Sequence, residues 1–404
     1  MTRSRWPRAR SKGYSRPSGF PQRVVSFLHA LGASAPDTIA DWLITDRLDT
    51  SNADWLKAEG LAAFAFHRLR AAGVLARLPT EVQRSLQDAY YAAAGINVVQ
   101  CQETEAVLRA LADAGIETVL MKGTPLAYTV YDEPACRLKG DLDIWLPPTQ
   151  IPAAIAALQP LNYAPRDKSD RPAAFISMTG GERQLIGRDP GTGLVELQWP
   201  ALRGEWVRRA AAVDHAAIWA RRVVVPIASR STWAMAPEDL IIHLCLHLAI
   251  NHGFVESALR NLLDIHLVAS RLSPDWDAVV ERAIAWRLAT MLWTTLSLAV
   301  ELWDAPVPDS TLVALQPGSA RRRAITALNL ADTVLVMRRG VYSYRRFVIQ
   351  ILLTDRLRDA WRLAWRALFP EADWLRARYG VESSTAVWRK RLQHPLRLLI
   401  TART

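Results

Sequence analysis

The run Ile116-Glu117-Thr118-Val119-Leu120-Met121-Lys122-Gly123-Thr124-Pro125, followed by Asp141-Leu142-Asp143-Ile144-Trp145-Leu146-Pro147-Pro148, decides the fold. Each half is a short apolar stretch closed by turn-forming residues, which predicts two short strands. Strand side chains alternate between faces, so Asp141 and Asp143 project to the same side. Two carboxylates so placed repel each other unless a cation lies between them, and Mg²⁺ prefers carboxylate oxygens together with substrate phosphates. Taken alone, an Asp-x-Asp pair is equally at home on a solvated strand or in a turn, so its surroundings decide the reading.

Working outward, a helix is expected over residues 150–158. Two further strand-like runs, residues 183–188 and 193–199, are separated by Asp189-Pro190-Gly191-Thr192, a strong turn signal between paired strands. Glu196 sits in the second run among apolar neighbours, where an acid needs a partner. Upstream, Lys122-Gly123-Thr124 ends a strand with a Gly that lets backbone amides approach an anion, a hydroxyl beside it, and a helix start that favours phosphate. Apolar residues recur at helical spacing from Arg23 to about Gly115 and again from Pro237 onward, where Pro237-Glu238-Asp239 makes a good helix start. The class expected is α+β: a small mixed sheet between a helical N-terminal layer and a large helical C-terminal region. The boundaries read are a disordered basic arm at 1–21, helices at 22–100, the sheet-bearing core at 101–210, and helices at 211–404.

The chain has 404 residues, 50% of them hydrophobic and 22% charged, enough to bury a large core. Its three cysteines, Cys101, Cys136 and Cys245, are far apart with no paired spacing, so neither a disulfide framework nor a thiolate zinc site is suggested, and a reducing, cytoplasmic setting fits. The longest charge-free apolar run, residues 288–300, is too short to span a bilayer. The net charge of +11 is uneven: residues 1–36 hold seven basic groups and no acid, residues 321–404 hold 18 basic against 6 acidic, and the middle is acidic. Any polyanion contact should therefore use the ends.

The residues resemble the polymerase-beta-like nucleotidyltransferase superfamily, whose signature is a Gly followed by Gly or Ser after the first strand, an Asp-x-Asp on the next, and a third carboxylate on a later strand. More closely, Leu120-Met121-Lys122-Gly123-Thr124, Arg137-Leu138-Lys139-Gly140-Asp141-Leu142-Asp143 and Val195-Glu196-Leu197-Gln198-Trp199 look like a largely uncharacterised bacterial nucleotidyltransferase family. The similarity continues through Leu244-Cys245-Leu246-His247, His252 and Leu262-Leu263-Asp264 to Leu368-Phe369-Pro370 and Arg378-Tyr379-Gly380, covering most of the chain after about residue 100. The resemblance implies a nucleoside triphosphate substrate, Mg²⁺ (or Mn²⁺) held by Asp141, Asp143 and Glu196, and a triphosphate-side turn at Gly123 and Thr124. It also implies that Glu196 binds metal or takes the acceptor's proton. The acceptor is unnamed: a small molecule, a peptide or RNA. Three departures stand out. The interval from Gly123 to Asp141 is longer than in minimal members, Thr124 replaces the usual Ser, and Gln198 stands where the closer family often has His.

Arg137, Lys139 and Lys122 are candidate triphosphate cations, set against the plainer readings of charge balance and a solvated strand end. His243 and His247 are spaced i, i+4 with His252 just beyond, but no acidic residue completes a zinc-protease pattern, so zinc is not the expectation. His247, His252, Arg260 and Asp264 are placed instead on the wall of the nucleotide or acceptor pocket, with an ordinary helix-surface pair as the alternative for Arg260 and Asp264. The basic ending, with Arg345, Arg346, Arg356, Arg358, Arg362 and Arg366 among Trp361 and Trp365, reads first as a solvated helix face. The rival to an enzyme is a catalytically inactive protein of this fold that uses its basic ends to hold nucleic acid or an acidic partner.

Overall fold

The computed structural model describes residues 20–35, 37–166, 172–255, 257–336 and 343–401. The expected arm at 1–21 lies outside them except for its last two residues, which open the helix Phe20–Gly32.

Alternating strands in the middle of the chain build one mixed sheet of seven: β1 (Val119–Met121), β2 (Asp141–Trp145), β3 (Tyr163–Pro165), β4 (Glu182–Gly187), β5 (Leu194–Gln198), β6 (Val223–Ile227) and β7 (Arg230–Ala234). Their order is β3-β4-β5-β2-β1-β7-β6. The helix read at 150–158 is found at Ile151–Leu158, and the turn at 189–192 joins β4 to β5. The β6–β7 hairpin and the short edge strand β3 were not foreseen. The run Val223-Val224-Val225-Pro226-Ile227 contains a Pro and leaves Val224 exposed, consistent with its place at the sheet edge.

The two sheet faces differ in what covers them. Leu120, Leu142, Ile144, Leu185, Val195 and Leu197 pack with Val107, Leu108 and Leu111 from the end of the Thr80–Asp113 helix and with Ala154 and Leu158 from the Ile151–Leu158 helix. The opposite face carries Val119, Met121 and Trp145, which belong to the larger core shared by the N- and C-terminal helices. Trp145 meets Trp219 edge to face at 4.9 Å, a favoured aromatic geometry. By alternation, Asp141, Asp143, Glu196, Gln198, Glu182 and Gln184 all stand on this second face. The sheet thus turns a polar patch toward a helical mass that includes Pro237–Leu246, the π-helical turn His247–Asn251 and Ala258–Arg271.

One backbone position beside the patch is sensitive. Gly181 closes the helix Ala173–Gly180 at φ +67°, and an added Cβ would lie 2.6 Å from Pro200 Cγ. Gly181→Ala should therefore cost more than about 1 kcal/mol, measured as a lower denaturant midpoint at unchanged slope.

Candidate active site

Register brings the acids together. Strand β2 pairs in parallel with β5, with Asp143 opposite Glu196, and the ligand oxygens of Asp141, Asp143 and Glu196 lie within 4.8 Å of one another. Asp143 and Glu196 are buried and Asp141 is partly open. Burial, reinforced by the neighbouring Asp143 charge, raises the Asp141 carboxyl above its usual range. The same two causes push Glu196 up to about 7, against the pull of Lys122.

Lys122 follows β1 in a backbone conformation that residues with side chains rarely adopt, φ 54° and ψ −121°. It puts its buried ammonium 2.7 Å from Asp143 Oδ1. Lys122 is thus not a solvated strand end; it is the cation that repulsion between the acids calls for. Gln198 donates to the same oxygen at 2.6 Å and to Glu196 Oε2 at 3.3 Å, and so bridges two carboxylates. Gln184 donates to Glu196 Oε1. Arg203, just past β5, donates to Glu196 Oε2 at 3.1 Å and also pairs with Glu182.

Glu182, Gln184 and Arg203 were missed by the sequence reading. Arg203 lies in an aperiodic loop, and Glu182 and Gln184 reach the site only through the β4–β5 register, which places them opposite Gln198 and Glu196. The patch therefore holds four carboxylates and two cations. Asp141 alone among these carboxylates has no side-chain hydrogen bond or ion pair among the described residues, whereas Asp143 is held by Lys122 and Gln198 and lies within hydrogen-bond reach of Glu196.

The other expected site residues divide. Gly123 and Thr124 open the helix Gly123–Thr129 directly after Lys122. Lys139 packs its chain against Gly123 and sets its ammonium 5.3 Å from the Tyr128 ring centre. Burial pulls the Lys139 ammonium down to about 8, and its Nζ has no hydrogen-bond partner among the described residues. Arg137 is committed elsewhere: Nε and Nη2 reach Asp264 at 2.8 and 2.7 Å, and Nη1 reaches the Leu138 carbonyl. Tyr131 Oη also donates to Asp264, at 2.7 Å. The helix-surface alternative for Arg260 and Asp264 does not hold, because Asp264 is fully buried and its partner is Arg137, which lies on another element. Arg260 is partly buried; desolvation and then the Arg137 charge lower it to about 10, and its Nη1 lies 3.4 Å from the Leu138 carbonyl.

His247 and His252 meet at 2.9 Å between their Nε2 atoms, across the π-helical turn, with Asn251 3.3 Å from His247 Nδ1. His243 contacts the Ala201 carbonyl. Burial, then the Lys122 charge, depresses His243 to about 3 and His247 well below its ordinary value, so both rings are neutral near pH 7. Metal-compatible grouping among the described residues falls on Asp141, Asp143 and Glu196 and not on these histidines. All three cysteines are free thiols, Cys136 and Cys245 buried and Cys101 partly so.

A mixed sheet with three convergent carboxylates beside a Gly-Thr turn defines a nucleotidyltransferase-like protein. The chain belongs to the family described as uncharacterised nucleotidyltransferases, which it matches over residues 49–304. No curated protein matches it. Among solved structures it is similar to the antibiotic-resistance factor ANT(2'')-Ia, at 14% identity over 46% of this chain and 91% of that one, with a TM-score of 0.33. It is also similar to an antigenic nucleotidyltransferase-like protein from Paracoccidioides brasiliensis, at 17% identity over 54% and 94% of the two chains, with a TM-score of 0.34.

Proposed function

We propose that this protein is a metal-dependent nucleotidyltransferase that moves a nucleoside monophosphate from a triphosphate to an acceptor. The observation that carries this reading is the convergence of acids on the sheet patch: ligand oxygens of Asp141, Asp143 and Glu196 lie within 4.8 Å of one another, and Asp141 has no side-chain partner among the described residues. Three hard oxygen donors so placed suit one divalent cation such as Mg²⁺ or Mn²⁺. Asp141, Asp143 and Glu196 would hold it, and when bound it would supply charge neutralisation for the triphosphate and the departing pyrophosphate.

The chain's own groups do the rest. Gly123 and Thr124 border the space where the triphosphate would lie, and Lys122, already aimed into the site by its strained backbone, offers it an ammonium. The acceptor hydroxyl gives its proton to Glu196 and bonds to the α-phosphorus, while the bond from that phosphorus to the bridging oxygen breaks and pyrophosphate leaves. Gln184, Gln198 and Arg203 hold Glu196 in place for that transfer. An inactive binding protein would gain nothing from so many clustered acids. The free cysteines suit a cytoplasmic setting, and no helix among the described residues is long and apolar enough to cross a membrane.

Incubation with each α-labelled triphosphate, Mg²⁺ and a cell extract should yield a labelled product; absence of label with every nucleotide would overturn the proposal. The raised Glu196 carboxyl adds a pH signature. A carboxyl held above its unfolded value stabilises the fold most below that value, and the benefit is lost as pH rises through about 7. In chelator, the melting temperature should therefore fall between about pH 4.5 and 7.5, and Glu196→Gln should flatten this slope.

A further inference from the structure

The helix Leu357–Leu368 buries one side through Asp359, Ala360 and Leu363. Its other side presents Leu357, Trp361, Trp365 and Leu368, which are 79, 70, 49 and 44% exposed. Spacings of four, four and three residues make these a single stripe. Arg358, Arg362 and Arg366 run alongside it; among the described residues the first two pair only with Asp359 of the same helix, at 3.7 and 4.0 Å, while Arg366 pairs with Glu371 at 3.2 Å. Arg391 of the helix Ser384–Thr401 donates to the Pro370 carbonyl at 3.1 Å, and Trp388 and Leu392, one turn apart on that second helix, are also exposed. The surrounding sequence, residues 321–404, is strongly basic.

We propose that this face docks the protein on a bilayer surface carrying anionic headgroups, with Trp361, Trp365, Leu357 and Leu368 entering the interface and the arginine row meeting the headgroup phosphates. An apolar stripe with Trp and Leu, edged by cations on a strongly two-sided helix, is the pattern of an interfacial helix. Charge selects this occupant over the others. A second copy meeting the face symmetrically would oppose one arginine row to another. Single-stranded nucleic acid would want successive aromatic platforms, but half of the stripe is Leu357 and Leu368, which offer bases nothing to stack on and suit an apolar interface instead. The proposal is independent of the catalytic reading.

Co-sedimentation of the full chain with sucrose-loaded vesicles tests it, using equal parts phosphatidylglycerol and phosphatidylcholine against phosphatidylcholine alone at about 0.1 M salt. The expected result is binding to the anionic vesicles with a blue shift of tryptophan emission, and little binding to the neutral ones. Trp361→Ser with Trp365→Ser, and separately Arg358→Glu with Arg362→Glu, should each raise the lipid concentration for half binding by roughly tenfold or more, while melting as the wild type does. Absence of binding to anionic vesicles overturns the proposal, as does undiminished binding by both variants, which would assign the attraction elsewhere on the chain. Binding of a single-stranded RNA oligomer, or self-association on sedimentation, that both variants abolish while vesicles are ignored would equally overturn it.

Discussion

Asp264→Asn should lower the stability of the folded protein by about 3–5 kcal/mol, because it leaves the buried Arg137 guanidinium without its counter-charge. The Asp264 carboxylate takes hydrogen bonds from Arg137 Nε and Nη2 and from Tyr131. This cluster ties the segment that leads into β2 to the helix Ala258–Arg271 and so fixes where the acid-bearing strand begins. The loss would be read from denaturant midpoints at constant slope. Replacing both partners by apolar residues, Arg137→Met with Asp264→Leu, should cost less than Asp264→Asn alone, since no unpaired charge is then buried. A single Asn variant as stable as the wild type would show that the cluster does not hold this strand.

Asp143→Asn should leave the fold nearly intact and reduce transfer by about 10³-fold or more, the scale of losing several kcal/mol of charge stabilisation at the reacting phosphate. The fold survives because Lys122 keeps Asp141 and Glu196 as charged neighbours. Steady-state rates at saturating triphosphate, beside melting curves of both proteins, separate the two effects. A variant that unfolds would instead make Asp143 a structural partner of Lys122, and one that transfers at the wild-type rate would remove Asp143 from the chemistry.

Local pattern revealed the strands that carry the acids, because alternation and turn chemistry are local: β2, β4 and β5 fall where the runs from 141, 183 and 193 place them, within a residue or two. That Glu196 joins Asp141 and Asp143 was expected from the resemblance, and the parallel pairing of β2 with β5 agrees; the register that sets Asp143 opposite Glu196 is one no local signal specifies. Which other residues surround the acids was not legible. Arg203, Glu182 and Gln184 arrive by the same tertiary route. The Arg260–Asp264 spacing says only that two residues share a helix face; Arg137, 127 positions earlier, decides that Asp264 is buried. His247 meets His252, five positions on, as well as Asn251 at i+4, because a π-helical turn shifts the spacing at that point, and such turns leave no clear mark in periodicity.

Calorimetric titration of Mn²⁺ into the protein, with a non-hydrolysable nucleoside triphosphate present, tests the central claim most directly. The wild type should bind the ion with release of heat and protons, more tightly as pH rises through about 7, and Asp143→Asn should lose most of that binding. A wild type that takes up no ion, or an Asn variant that binds it as tightly as the wild type, would contradict the assignment of these acids as the metal-holding site.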